Sequence, residues 1–153
     1  MKAQQIKAVI TGGASGLGLA TAKKFCEAGG KVSLIDLNKD ALEVASSALS
    51  GGLAHTVLGD VSNEKAMEQA IQEAHNAMGG LTVLVNCAGI LGAGRVLGRE
   101  GPMPLERFKQ TIEVNLIGSF NTAKAASALM QHNEGHEKGV IIHTASIAAY
   151  EGQ

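Results

Sequence analysis

The chain has no tryptophan, and aromatic residues make up only 3% of it, so it lacks the platforms on which nucleic-acid bases stack. An excess of charge of either sign is also missing. Thirteen Lys and Arg against 14 Asp and Glu leave a formal charge of −1, which removes the electrostatic case for nucleic acid or an anionic membrane as partner. Cysteine is rare, and Cys26 and Cys87 lie too far apart for zinc spacing or a disulfide framework; both read as free thiols inside apolar elements, as suits a reducing compartment. No apolar run approaches membrane-spanning length, and a strand that starts near Ile6 leaves no room ahead of it for a signal or transit peptide. A cytoplasmic location is the expectation.

What the chain does have is a 45% apolar content over 153 residues, enough for one domain with a genuine core, and 20 glycines that punctuate it. Apolar runs at Ile6 to Ile10, Lys31 to Leu37, Leu53 to Leu58, Leu81 to Val85 and Val140 to Thr144 predict five strands. Helical periodicity falls between them. Leu17 to Ala28 stops at Gly29-Gly30; a helix capped by Asn38 runs to Gly51-Gly52; a third, capped by Ser62, carries Met67, Ala70, Ile71, Ala74 and Met78 on one face and stops at Gly79-Gly80. From Ile90 to Pro104, four glycines and both prolines predict a loop, long enough to suggest a functional role. A long helix from about Leu105 to Gln131 follows, then a polar connection, Asn133 to Gly139. His132 and His136 are four residues apart, but the intervening Asn133 and Gly135 favour a solvated connection over a metal site. This alternation implies an α/β fold in three layers, a parallel sheet with helices on both faces, and right-handed crossovers give the order 3-2-1-4-5.

The richest segment is Thr11-Gly-Gly-Ala-Ser-Gly-Leu-Gly18, placed where the first strand opens into the first helix. Such a turn points backbone N–H groups and a positive helix end at an anion such as a pyrophosphate. Gly12 suits the tight turn, Gly16 leaves room for a cofactor, and Gly18 permits close packing of the helix. The glycines at 12, 16 and 18 depart from Gly-x-Gly-x-x-Gly, and no Gly-Lys-Ser/Thr marks a mononucleotide loop. Asp36 ends the second strand, 24 residues beyond Gly12, where a carboxylate accepts hydrogen bonds from both adenosine ribose hydroxyls and repels a 2′-phosphate. That favours NAD over NADP, although Asp36 could instead serve the helix that follows. Asp60 and Asn86-Cys87-Ala88-Gly89 end the next two strands at the same edge of the sheet; each alone could be a turn former.

Thr-Gly-x-x-x-Gly-x-Gly at 11, Asp60-Val61, Asn86-Cys-Ala-Gly, Asn115 in Val-Asn-Leu and Ser146 after a strand together resemble the short-chain dehydrogenase/reductase family. The resemblance covers the whole chain and is similar in wording to its 3-hydroxyacyl-CoA dehydrogenase type 2 branch at Thr11 to Ala22, Asn86 to Ile90 and Ile141 to Gln153. It implies a Rossmann-type doubly wound domain over 1–153 that binds NAD. Ser15 and Leu17 would contact the pyrophosphate with the glycines, Asp36 the ribose, Asp60 and Val61 the adenine, and Asn86, Cys87, Ala88 and Gly89 the rest of the cofactor. Relatives often carry Asn where Cys87 stands, which leaves contact through its backbone. Asn115 would interrupt its helix and support a water of a proton relay. Ser146 would hold the substrate oxygen of a secondary alcohol or ketone, such as a 3-hydroxyacyl-CoA. On their own these two read as a solvated helix residue and a turn serine.

The family's Tyr-x-x-x-Lys does not occur, and Tyr150, four residues after Ser146 with no Lys four beyond, reads as a rim aromatic. The expectation is therefore an inactive fragment that lacks the family's last two strands, cut from a homo-oligomeric parent, dimer or tetramer, with its fifth strand at an open edge. Two other classes remain: a non-catalytic dinucleotide-binding module, and an interaction segment held across that edge.

Overall fold

A computed structural model describes residues 2–49, 52–99 and 101–151. Gly51 and Gln153, cited above as a helix stop and as part of a motif, lie outside them. Five parallel strands form one sheet: β1 (Lys7–Thr11), β2 (Lys31–Asp36), β3 (Ala54–Leu58), β4 (Val83–Asn86) and, at the edge, β7 (Val140–His143). Their spatial order β3-β2-β1-β4-β7 is the expected 3-2-1-4-5 in the count of large-sheet strands. The register sets Ile10 beside both Leu34 and Val85, and Asn86 beside Thr11 on one side and His143 on the other.

The strands alternate between two apolar layers, because successive side chains point to opposite faces of the pleat, except at the edge, where Ile141 of β7 packs inward and Val140 and Ile142 stay exposed. Val9, Ile35, Val57 and Leu84 pack against Met67, Ile71 and Ala74 of α3 (Glu64–Met78) and Ala126 and Met130 of α5 (Gly118–Met130). Ala8, Ile10, Val32, Leu34 and Val85 face the other way, onto Ala22 and Cys26 of α1 (Gly16–Glu27) and Leu42 and Ala45 of α2 (Lys39–Ser47). Helices on both faces make three layers. Among the described residues, no helix is long and apolar enough to cross a membrane.

Capping follows the sequence with one correction. Asn38 accepts the Ala41 N–H at 3.0 Å, and Gly79 ends α3 at φ 70°. Ser62 does not cap α3: Asn63 does, accepting the Ala66 N–H at 3.0 Å, while the Ser62 hydroxyl donates to Asp60 at 2.7 Å. Helix α2 closes at Ser47, before the glycine pair assigned to stop it.

The loop from Ile90 to Pro104 contains a minimal hairpin, in which β5 (Leu97–Gly98) pairs with β6 (Gly101–Pro102) in antiparallel fashion. Arg107 of α4 (Leu105–Ile112) ties this loop down by donating to the Ala93 carbonyl at 3.1 Å. The long helix is interrupted where Asn115 suggested: Glu113–Ile117 form a π turn between α4 and α5. A short helix, α6 (Ala148–Glu151), follows β7.

Candidate cofactor site

A crevice of about 690 Å³ opens at the carboxyl edge of the sheet, of the size that small-molecule sites occupy. Its floor is the glycine loop. Gly12 has φ +62°, and a Cβ there would come within 2.8 Å of the Ala88 nitrogen, so the first turn and the Asn86–Gly89 turn touch backbone to backbone. A Cβ on Gly18 would overlap the Gly12 carbonyl oxygen, which seats α1 directly on the loop. Gly16 differs: at φ +50° a Cβ would meet nothing within 4 Å, because this residue faces the crevice.

The opening of α1 is laid out for an anion. Its first intrahelical bond is Leu19 N–H to the Ser15 carbonyl, so the preceding N–H groups have no acceptor in their own helix. Ser15 holds the N-cap position without a side-chain cap bond. Leu17 is 72% exposed at the crevice, where a free-standing helix would carry a polar residue. A pyrophosphate fits these donors, and the space over Gly16 admits it.

Asp36 sits opposite. Its Oδ2 accepts the Ala14 N–H at 3.2 Å and its Oδ1 the Asn38 N–H at 3.1 Å, so the loop and the start of α2 aim the carboxylate between them. Asp60 uses one oxygen, Oδ1, to accept both the Ser62 N–H and hydroxyl at 2.9 and 2.7 Å. Oδ2 is left for a ligand. Asp36, Asp60 and Glu113 line the crevice and no Lys or Arg does, among the described residues. Val61 is buried against Gly118, where a Cβ would lie 2.6 Å from its Cγ2.

Asn86 lies beneath the crevice instead of lining it. It is 3% exposed; its Oδ1 accepts from Thr122 at 2.8 Å and Thr11 at 3.3 Å, and its Nδ2 faces the Ser119 carbonyl and His143 Nδ1. Cys87 and Ala88 hang from Thr11, whose carbonyl takes the Cys87 N–H at 3.1 Å and whose hydroxyl takes the Ala88 N–H at 3.2 Å. Burial pushes the Cys87 and Cys26 thiols above the ordinary value. Gly89 lies close to Asn115, whose amide clamps Ile90 at two points: Oδ1 accepts the Ile90 N–H and Nδ2 donates to its carbonyl, both at 2.9 Å.

Asn115 and Ser146 are outside the crevice wall. Ser146 follows β7, exposed, with Oγ accepting the Ala148 N–H at 3.2 Å, and Tyr150 is 88% exposed. Thr11 opens the glycine motif without a role of its own there, and Thr122 and Asn121 belong to no motif. Asn121 is 5% exposed and donates to the Val61 carbonyl at 3.0 Å, fixing the backbone beside Asp60. Their signal was available: polar side chains at positions of an apolar face. Among the described residues, no three His, Cys, Asp or Glu side chains converge on a metal site.

This arrangement has known counterparts. A family profile described as short chain dehydrogenase matches residues 7–153. The chain is 42% identical over 151 residues to 3-hydroxyacyl-CoA dehydrogenase type-2 of Bos taurus and 41% identical to that of Homo sapiens, in each case over 95% of this chain and 58% of the relative. Among solved structures, an NAD+-bound xylitol dehydrogenase superposes with a TM-score of 0.87 at 30% identity, covering 98% of this chain and 56% of that one. The chain thus spans little more than half the length of the proteins it resembles.

Proposed function

Since the chain belongs to the short-chain dehydrogenase family, we propose that residues 1–153 form the NAD-binding part of an oxidoreductase that interconverts a secondary alcohol and a ketone, with a 3-hydroxyacyl-CoA as the leading substrate. The observation that carries the cofactor is the braced Asp36 carboxylate across from the open α1 terminus, in a crevice that, among the described residues, is lined by Asp and Glu and by no Lys or Arg. A ribose with two free hydroxyls suits that carboxylate, and a 2′-phosphate would face it as a like charge. The NAD+ held by the xylitol dehydrogenase neighbour supports the same choice.

NAD, when bound, supplies the hydride acceptor. The N–H groups at Gly16 to Gly18 and the Ser15 hydroxyl would hold its pyrophosphate with Leu17 in contact, Asp60 and Val61 would border the adenine, and the Asn86–Gly89 turn would line the remainder. Asn115 keeps Ile90 in place at the mouth. Ser146 accepts the Ala148 N–H, which leaves its own hydrogen to donate to the substrate oxygen, where negative charge grows in the reduction direction.

The complete reaction belongs to the whole protein, which this reading places in the cytoplasm. Leu105, Phe108, Leu116 and Phe120 are 56–65% exposed along α4 and the helix after it, an apolar stripe that supports a homo-oligomeric parent. Calorimetric titration with NAD and NADP tests the cofactor assignment. NAD is expected to bind at least tenfold more tightly, and a preference for NADP would overturn it.

A further inference from the structure

The buried amide of Asn86 joins the glycine loop, the cofactor turn, α5 and β7, and its orientation is fixed by a group that can only accept. The Ser119 carbonyl lies 3.4 Å from Nδ2, so the NH2 side faces it and Oδ1 faces the Thr11 and Thr122 hydroxyls. The same NH2 lies 3.1 Å from His143 Nδ1. Nδ1 must therefore be the acceptor, with the ring hydrogen on Nε2. Next to it, the Thr144 N–H and hydroxyl both donate to the Asn86 main-chain carbonyl, at 3.1 and 3.0 Å, so the end of β7 grips Asn86 by side chain and backbone.

We propose that His143 is a positioning residue for the cofactor turn: as the neutral Nε2–H tautomer it holds the Asn86 amide in place, and acid releases that hold. An imidazolium carries hydrogens on both nitrogens, so Nδ1–H would confront the Asn86 NH2. Turning the amide over restores that contact only by setting Oδ1 against the Ser119 carbonyl and taking from the Thr11 hydroxyl, which accepts the Ala88 N–H at 3.2 Å, the Oδ1 to which it donates. Either outcome unsettles the amide that orients Thr11, and with it the support of Ala88, which lines the crevice. Strand β4 carries no ionisable side chain, α5 carries only Lys124, and Lys124 is engaged with Glu64 and Glu68 of α3; among the described residues no ion pair involves His143.

The consequence for binding rests on the NAD reading above; the tautomer does not, and the experiment separates them. Nitrogen NMR of the labelled imidazole in the whole chain at about pH 7.5 should show His143 protonated on Nε2 and bare on Nδ1. NAD titrations between about pH 5.5 and 8 should show affinity falling roughly three- to tenfold toward acid, the scale of one hydrogen bond lost. His143→Asn keeps an acceptor near the place of Nδ1 without titrating and should flatten that acid limb; His143→Ala should weaken NAD by a similar factor at every pH. An Nδ1–H tautomer, or an acid limb that persists in His143→Asn, overturns the proposal. A chain that binds no NAD at any pH overturns the cofactor assignment, and the tautomer then decides this one.

Discussion

Gly12 and Gly16 share a positive φ, +62° and +50°, and have opposite surroundings, so alanine at each should separate folding from binding. The left-handed conformation costs a side chain about 1–2 kcal/mol at either position. At Gly16 that is the whole penalty, since the new methyl meets nothing within 4 Å. At Gly12 it would lie 2.8–2.9 Å from three backbone atoms of Cys87 and Ala88, adding about 1–3 kcal/mol of overpacking that rigid backbone cannot relieve cheaply. For a chain of this length, each kcal/mol lowers Tm by roughly 2–4 °C. Gly16→Ala should therefore lose about 2–8 °C and Gly12→Ala about twice that, read by thermal denaturation. Binding should rank the other way relative to stability. The Gly16 methyl projects into the crevice where the pyrophosphate is placed, so NAD affinity should fall at least about tenfold, or 1.4 kcal/mol. Equal Tm losses, or a Gly16→Ala variant that binds NAD normally, would refute the division of labour between the two glycines.

Asp36→Asn keeps an acceptor for one of the backbone N–H groups but removes the charge, so the ratio of NAD to NADP affinity should drop by roughly tenfold or more; an unchanged ratio in paired titrations would mean that Asp36 does not face the ribose. Hydrogen bonding to Lys124 holds the Glu64 carboxyl below its usual range, and bonding to Glu64 and Glu68 raises Lys124. The carboxylate's contribution is present above the ordinary carboxylate range and lost as pH falls through its lowered value, while that of Lys124 is present below its ordinary value and lost at still higher pH. Lys124→Met should thus be slightly less stable than the parent chain from about pH 5 to 10, with the gap closing at both extremes and in high salt when followed by chemical denaturation. Burial raises the Cys87 thiol, so alkylation at neutral pH should be slow, should accelerate as pH rises, and should slow again under saturating NAD; mass spectrometry showing no protection would remove Cys87 from the cofactor wall.

Alternation of strand and helix, the strand order and the glycine loop were legible because each rests on short-range rules: period, punctuation and the handedness of crossovers. Boundaries suffered where two residues competed for one job. Ser62 and Asn63 both suit a helix cap, and only the Asp60 carboxylate, which draws off the serine hydroxyl, decides between them. The hairpin at 97–102 was unreadable because four residues of β pairing among glycine and proline leave no period. Long-range polar contacts were the hardest to foresee. Asn86 reads as a turn former at the end of a strand, and its partners Thr11, Thr122 and His143 are brought together by sheet register and helix rotation, which no local pattern encodes.

The π turn at 113–117 also acts as a phase shifter. Each residue advances a regular helix by about 100°, and a wider π turn takes up one residue without that advance, so everything after it sits about 100° from where an unbroken α-helix of the same residues would place it. None of the residues of α4 is buried, whereas α5 turns Gly118, Asn121, Thr122, Ala125, Ala126 and Met130 inward. Winding the same residues as one unbroken α-helix, with none removed, would swing that inner row aside. Thr122 would leave Asn86 and Gly118 would leave Val61, so the wider turn keeps the back wall of the crevice in phase with the sheet.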